Sequence, residues 1–71
     1  MQGKNLSNIM EKIQNDQLFI MMCRIFNQLR DNNIKVAMFD VIDKYVKRYH
    51  REVAMNDDLI GDIYRSNGLL K

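Results

Sequence analysis

A run of basic residues in the second half of the chain is the sequence feature with the clearest chemical meaning. Four cations stand at the i, i+3, i+4 and i+7 spacing that puts side chains on one side of an α-helix, and they are Lys44, Lys47, Arg48 and Arg51. Such a basic stripe can follow the phosphates of a DNA or RNA strand with little direct base readout. Acidic residues four positions before each lysine explain the same spacing as ion pairs on a solvated helix face. The sequence leaves both interpretations open, and we favour the solvated face.

A second candidate site lies on the preceding apolar segment. Ile20 and Met21 fall outside the main apolar arc that this segment forms when it is drawn as a helix. We therefore expect them to contact another protein or a second copy of the chain, with Arg24 and Gln28 at the rim. A domain of about 60 residues buries only around 60% of the surface of its unfolded chain, so some apolar surface remains for a partner. Cover by another helix of the same chain is the other interpretation, and for the pair taken alone the sequence favours it slightly.

The residues that usually carry catalysis or bind metals are sparse. The chain has one cysteine, Cys23, and one histidine, His50, whereas a structural zinc site needs four ligands. The three glycines are isolated, so they form no phosphate-binding loop. Cys23 lies in an apolar arc, which is typical of an inert buried thiol. We expect no metal, no cofactor, no small-molecule substrate and no enzymatic activity.

Composition indicates a folded intracellular protein. Apolar residues make up 46% and charged residues 28% of the 71 residues, and the net charge is only +2. No apolar run approaches the roughly 20 residues of a membrane-spanning helix, and no charged-then-apolar leader is present. A single cysteine suits a reducing cytoplasmic setting. The many Asn, Ile and Lys residues suggest a low-GC genome, such as those of some bacteria, phages or large DNA viruses.

Four segments with helical spacing of apolar residues must position these side chains. The chain has no proline, which removes the strongest helix breaker. The pattern predicts an all-α fold with one domain over residues 1–71, a small bundle of three to four helices. The predicted helices cover about 5–14, 16–30, 34–55 and 57–66, with helices two and three as a central antiparallel pair. We expect residues 1–4 and 71 to be frayed.

Helices two and three carry wide apolar arcs. On helix two the predicted arc contains Leu18, Phe19, Met22, Cys23, Ile25, Phe26 and Leu29. On helix three it contains Ile34, Met38, Val41, Ile42, Tyr45, Val46, Tyr49 and Val53. The two arcs indicate that these helices pack against each other and against the remaining segments.

The function that these features favour is protein–protein interaction. We expect a non-enzymatic regulatory or adaptor protein that acts through an apolar helical surface and can form a homodimer. Asn32-Asn33 followed by a long amphipathic helix resembles the small helical regulators that dimerise and act on bacterial transcription factors. This resemblance covers less than half of the chain and assigns no functional residue. The alternative is DNA or RNA binding through the basic stripe.

Overall fold

The computed structural model describes the backbone of residues 2–70 and the side chains of residues 8–70. This part of the chain is all-helical and contains no strand, which confirms the predicted fold class. It has five helices, one more than the predicted upper number: α1 (Gln2–Gln14), α2 (Gln17–Gln28), α3 (Asn32–Tyr49), α4 (Arg51–Ala54) and α5 (Asp57–Ser66). Residues 2–4, predicted to be frayed, belong to α1, while residues 1 and 71 lie outside the described residues. No helix among residues 2–70 is long and apolar enough to cross a bilayer.

Short polar side chains begin three of the helices. In each case a side-chain oxygen accepts hydrogen bonds from backbone N–H groups of the first helical turn, at 2.8–3.3 Å. The residues that do so are Asp16 before α2, Asp31 before α3 and Asn56 before α5. Each bond satisfies an N–H group that has no partner inside its own helix. These caps fix where the helices start.

The predicted helix over 34–55 is wrong as a single element because the chain leaves the helical conformation at His50. This residue has φ −131° and ψ 53°, and it separates α3 from the four-residue α4. A straight helix of that length would extend for about 30 Å and would run past the shorter α2. The break instead lets α4 fold back against α1 and buries Val53.

Every helix contributes to one hydrophobic core. The side chains buried in it come from α1 to α5 and from the segment after α5: Ile13, Phe19, Met22, Cys23, Phe26, Ile42, Val46, Val53, Leu59, Ile63, Tyr64 and Leu69. Aromatic edge-to-face contacts join Phe26 to Phe39 at 6.3 Å and Phe39 to Tyr64 at 5.4 Å between ring centroids. Because these rings belong to α2, α3 and α5, they join three helices through the core.

Helices α2 and α3 run in opposite directions. Asp16, at the start of α2, contacts Tyr45 near the end of α3, whereas Phe26, late in α2, contacts Phe39 in the first half of α3. The hydroxyl of Tyr64 donates a hydrogen bond to Asp43 at 2.9 Å, which attaches α5 to one side of this pair. The opposite side of the α2–α3 pair faces away from α5.

Candidate interaction surface

Large apolar side chains lie exposed on the α2–α3 pair. Five of them expose 43–57% of their surface: Leu18, Met21 and Ile25 of α2, and Ile34 and Val41 of α3. We call these five residues the apolar face. A folded monomer usually leaves only scattered apolar side chains in contact with water, so a group of this kind on two adjacent helices requires explanation.

The helical register places the five side chains on one side of the pair. At about 100° per residue, Leu18, Met21 and Ile25 occupy an arc of roughly 60° on α2, and Ile34 and Val41 are roughly 20° apart on α3. Residues that meet α5 or the segment after it, such as Asp43 and Asn27, lie on the other flank of each helix. The apolar face is therefore directed away from α5.

Polar residues border the apolar face and their charges are mostly positive. Arg24 and Gln28 of α2 are exposed beside Met21 in the helical register, and Arg48 of α3 is exposed beside Val41. The acidic residue on this part of α3, Asp40, is paired with Lys44 at 3.0 Å. Within residues 8–70, neither Arg24 nor Arg48 has a carboxylate partner. The rim thus presents two unpaired cations.

The four residues predicted to bind a partner do not form one surface. Met21, Arg24 and Gln28 are exposed as expected, and Met21 belongs to the apolar face. Ile20 is half-buried and shares a helix side with Asn27, seven residues later. The amide of Asn27 donates a hydrogen bond to the carbonyl of Asn67 at 2.8 Å. Ile20 therefore lies on the flank of α2 opposite the apolar face.

The predicted basic stripe is interrupted. The break at His50 places Lys44, Lys47 and Arg48 on α3 and Arg51 on α4. Both lysines form the expected i,i+4 ion pairs, Lys44 with Asp40 at 3.0 Å and Lys47 with Asp43 at 2.8 Å. The contact with Asp43 also raises the pKa of Lys47. Of the four residues of the stripe, Arg48 and Arg51 have no carboxylate partner within residues 8–70.

A cluster around Asp16 joins the start of α2 to the end of α3. Oδ2 of Asp16 accepts hydrogen bonds from the Tyr45 hydroxyl at 2.6 Å and from Nε2 of His50 at 2.7 Å. The histidine donates here because an ionised carboxylate can only accept. Desolvation opposes ionisation of Asp16, but these bonds and the N–H of Phe19 hold its pKa below the usual value. The same hydrogen bond raises the pKa of Tyr45 to about 12. The cluster is a structural clamp whose groups are mutually satisfied.

The arrangement of Cys23 offers no nucleophile. Its thiol is a free cysteine in the core, and burial raises its pKa to about 11. Catalytic thiols need the opposite shift, because the thiolate is the reactive form. Among residues 8–70, no group of three or more His, Cys, Asp or Glu side chains is placed to hold a metal ion.

Sequence reasoning missed four of the five residues of the apolar face. It assigned Leu18, Ile25, Ile34 and Val41 to the buried arcs of their helices, but all four are about half exposed. The width of the arcs was the available signal. An arc of roughly 160° is wider than one neighbouring helix needs, so its outer edge stays uncovered unless another helix packs there.

Comparison of the chain with protein-family models, with curated proteins and with solved structures gives no match.

Proposed function

We propose that this chain is a non-enzymatic regulatory or adaptor protein that binds a partner protein through the apolar face. The observation that supports this function is the grouping of five half-exposed, large apolar side chains on one side of two packed helices. Contiguous apolar surface with a polar rim is typical of protein–protein interaction sites. A reducing, cytoplasmic setting suits the proposal because the single cysteine is a free thiol.

The partner that fits this surface is an amphipathic helix with acidic residues beside its apolar side. A third helix can lie along two packed antiparallel helices and place its i, i+3, i+4 and i+7 side chains against the apolar face. Arg24 and Arg48 at the rim lack carboxylate partners within residues 8–70. Acidic residues on the incoming helix would pair with them and set its orientation.

A second copy of the chain fits the same surface less well. Face-to-face packing would bring the unpaired arginines of both copies towards one another, because the nearby Asp40 is already paired. Like charges placed together at an interface oppose association. A second copy of the chain is thus the alternative occupant of the apolar face, and we place it second to an acidic helix.

The free energy of docking would come mainly from the most exposed side chains of the apolar face. Met21 and Val41 are exposed by 57% and 52%, so each has apolar area left to bury, at roughly 25 cal/mol per Å². The unbranched thioether of Met21 adapts its shape to a partner more easily than a β-branched side chain does. Substituting either residue should therefore have a large effect on binding and a small one on folding.

A designed peptide tests the proposal directly. Two helical peptides share one leucine-rich side, and one carries glutamates and the other lysines beside it. Fluorescence anisotropy should show binding of the glutamate peptide and at least tenfold weaker binding of the lysine peptide. Met21→Asp and Val41→Asp should each lose at least tenfold in affinity, which corresponds to about 1.4 kcal/mol. Arg24→Glu should weaken binding of the glutamate peptide and strengthen binding of the lysine peptide.

The control variant is Val36→Asp. Val36 is 70% exposed but lies on the flank of α3 away from the apolar face, so this change adds the same charge without touching the surface. Circular dichroism should show all three aspartate variants to be folded. Equal losses of binding in Val36→Asp and Met21→Asp, or no binding of either peptide by the unchanged chain, would contradict the proposal.

Nucleic-acid binding by the basic residues of α3 and α4 is the function that we place second. Two of its four predicted residues, Lys44 and Lys47, are already neutralised by aspartates, which leaves less positive charge for a phosphate backbone. Titration with duplex DNA at two salt concentrations tests it, since such binding weakens steeply with salt. Apolar docking changes little under the same conditions.

A further inference from the structure

A cleft between α1 and the junction of α3 and α4 collects positive charge. The cavity has a volume of about 200 Å³. Its polar lining consists of Lys12 from α1, Arg48, Tyr49 and His50 from the end of α3, and Arg51 and Glu52 from α4. Ligand pockets for whole drug-sized molecules are usually about 300 Å³ or more. This cleft therefore suits a small charged group.

The three cations of the cleft differ from the other basic residues of α3. Lys44 and Lys47 form ion pairs with aspartates of the same helix. Within residues 8–70, Lys12, Arg48 and Arg51 have no carboxylate at ion-pairing distance. Three like charges that line one cavity repel one another, and an anion bound between them relieves that repulsion.

The charge of the lining defines the anion. Three cations and the single carboxylate of Glu52 give 3 − 1 = +2. A phosphomonoester carries about −1.5 to −2 at neutral pH, whereas a phosphodiester carries only one negative charge. Arginine presents a planar fork of donors that matches phosphate oxygens in bidentate fashion. We propose that this cleft binds a phosphomonoester dianion, held by Lys12, Arg48 and Arg51.

Contacts around the cleft hold two of its walls in place. The Arg48 guanidinium lies 5.6 Å from the centre of the Tyr49 ring, which in turn packs against Tyr45 at 4.8 Å. His50 is fixed by its 2.7 Å hydrogen bond to Asp16, at the point where α3 ends and α4 turns towards α1. The backbone break that shortened α3 therefore also brings Arg51 to the cleft. Of the three proposed donors, Arg48 is the one held by an aromatic contact, which lowers the entropy that it loses on binding.

Titration with a matched pair of small ligands tests the site. Methyl phosphate has the dianionic phosphomonoester group, and dimethyl phosphate has the same atoms around phosphorus with one charge only. Addition of methyl phosphate at low salt and pH 7.5 should change the amide chemical shifts of residues in α1 and α4, and these changes should reach saturation. Dimethyl phosphate should bind at least tenfold more weakly. Absence of saturable shifts, or equal binding of the two ligands, would overturn the proposal.

Charge-matched variants separate the cleft from general electrostatics. Lys12→Gln and Arg51→Gln each remove one positive charge from the cleft and should weaken the binding of methyl phosphate at least tenfold. Lys44→Gln removes one positive charge outside it and should change the affinity less than threefold. Equal effects of Lys44→Gln and Arg51→Gln would mean that the anion is attracted by net charge alone, and the site would be rejected.

An oligonucleotide pair decides between the phosphomonoester and a nucleic-acid backbone. A short DNA strand with a 5′-phosphate should compete with methyl phosphate, whereas the same strand with a 5′-hydroxyl should not. Equal competition by both strands would show that backbone phosphodiesters occupy the cleft, which contradicts the proposed preference. Arg48 belongs to both the cleft and the rim of the apolar face, but the variants used here change only Lys12, Arg51 and Lys44, so the two proposals can fail separately.

Discussion

At the scale of single residues, Asp16 connects more parts of the molecule than any other polar side chain described. One carboxylate oxygen caps α2, and the other accepts hydrogen bonds from Tyr45 and His50. The side chains of Asp16 and His50 are only 16% and 9% exposed, so water replaces these bonds poorly if they are lost. One residue therefore sets the start of α2, the end of α3 and the wall of the basic cleft.

Asp16→Ala should lower the free energy of unfolding by about 2–4 kcal/mol. The loss combines about 1 kcal/mol for the helix cap with about 1–3 kcal/mol for a hydroxyl and an imidazole left without a partner. Urea unfolding followed by circular dichroism at pH 7 measures it. The matched control is Asp31→Ala, which removes a cap from α3 at an exposed position and should cost only about 1 kcal/mol. Equal losses in the two variants would refute the clamp.

The pH dependence of the free energy of unfolding at acidic pH should depend on Asp16 and Asp43. Hydrogen bonds that outweigh desolvation lower the pKa of both carboxyl groups in the folded chain. The unfolded chain then binds more protons around and below pH 4, so the free energy of unfolding should fall as pH decreases through that range. Asp16→Asn combined with Asp43→Asn should be less stable at pH 7 and show a flatter acid profile. An unchanged slope in urea titrations at pH 2.5–5 would contradict this.

Cys23 should be protected from thiol reagents in the native chain. It is only 3% exposed, and burial raises its pKa to about 11, so both access and thiolate content are low. A chromogenic disulfide reagent at pH 7.5 should react slowly in buffer and at once in concentrated urea. Met55→Cys provides an internal comparison, because Met55 is 80% exposed and the new thiol should react immediately. Rapid reaction of two thiols per chain in buffer would show that the core is open.

At the scale of elements, periodicity predicted where helices occur better than where they end. The spacing of apolar residues and the absence of proline were enough for the all-α fold. The break at His50 carries neither proline nor glycine. Its cause includes the hydrogen bond to Asp16, 34 residues earlier, and a one-dimensional pattern does not contain such a contact.

The site was predictable only in part for the same reason. Met21 was recognised because it lies off the main arc of α2, and its exposure agrees with that reasoning. Ile20 lies off the same arc, yet it is half-buried and shares the flank of α2 with Asn27, which bonds to Asn67 in the C-terminal segment. The lysine pairs were foreseen because i,i+4 neighbours on a helix are local. The approach of Lys12 to Arg51 is a tertiary event and could not be foreseen.

The end of α5 provides a prediction at this scale, because Gly68, two residues after the helix, has a left-handed backbone conformation. Gly68 has φ +75°, and a Cβ atom there would collide with the side-chain oxygen of Asn27. Gly68→Ala should therefore lower the free energy of unfolding by about 1–3 kcal/mol. Gly61→Ala within α5 is the control, and it should change the free energy of unfolding in the opposite direction. Its Cβ would meet only the Arg65 guanidinium at 3.5 Å, and alanine should stabilise the helix by about 0.5–1 kcal/mol. Thermal unfolding of both variants tests the pair, and a stabilised Gly68→Ala would contradict the structure.

At the scale of the whole molecule, the main feature is that a small core leaves apolar surface uncovered. Twelve side chains form the buried cluster, while nine large apolar side chains among residues 8–70 remain exposed. The five on the apolar face lie on one side of the α2–α3 pair, whereas Val36 and Leu70 line a separate pocket between α3 and the C-terminal segment. A short chain has too little volume to enclose both sides of its longest helices. The second side is then available for binding.

The association state should consequently depend on salt in a direction that identifies the apolar face. At low salt the positive rim keeps two copies apart, so light scattering on the purified chain should give the mass of a monomer. High concentrations of sodium sulfate screen like charges and strengthen apolar burial, and they should therefore promote dimers. Met21→Asp should abolish the salt-induced dimer, whereas Val36→Asp should keep it. A dimer that is stable at low salt and dissociates as salt increases would mean that ion pairs hold it, and the apolar face would then not be its interface.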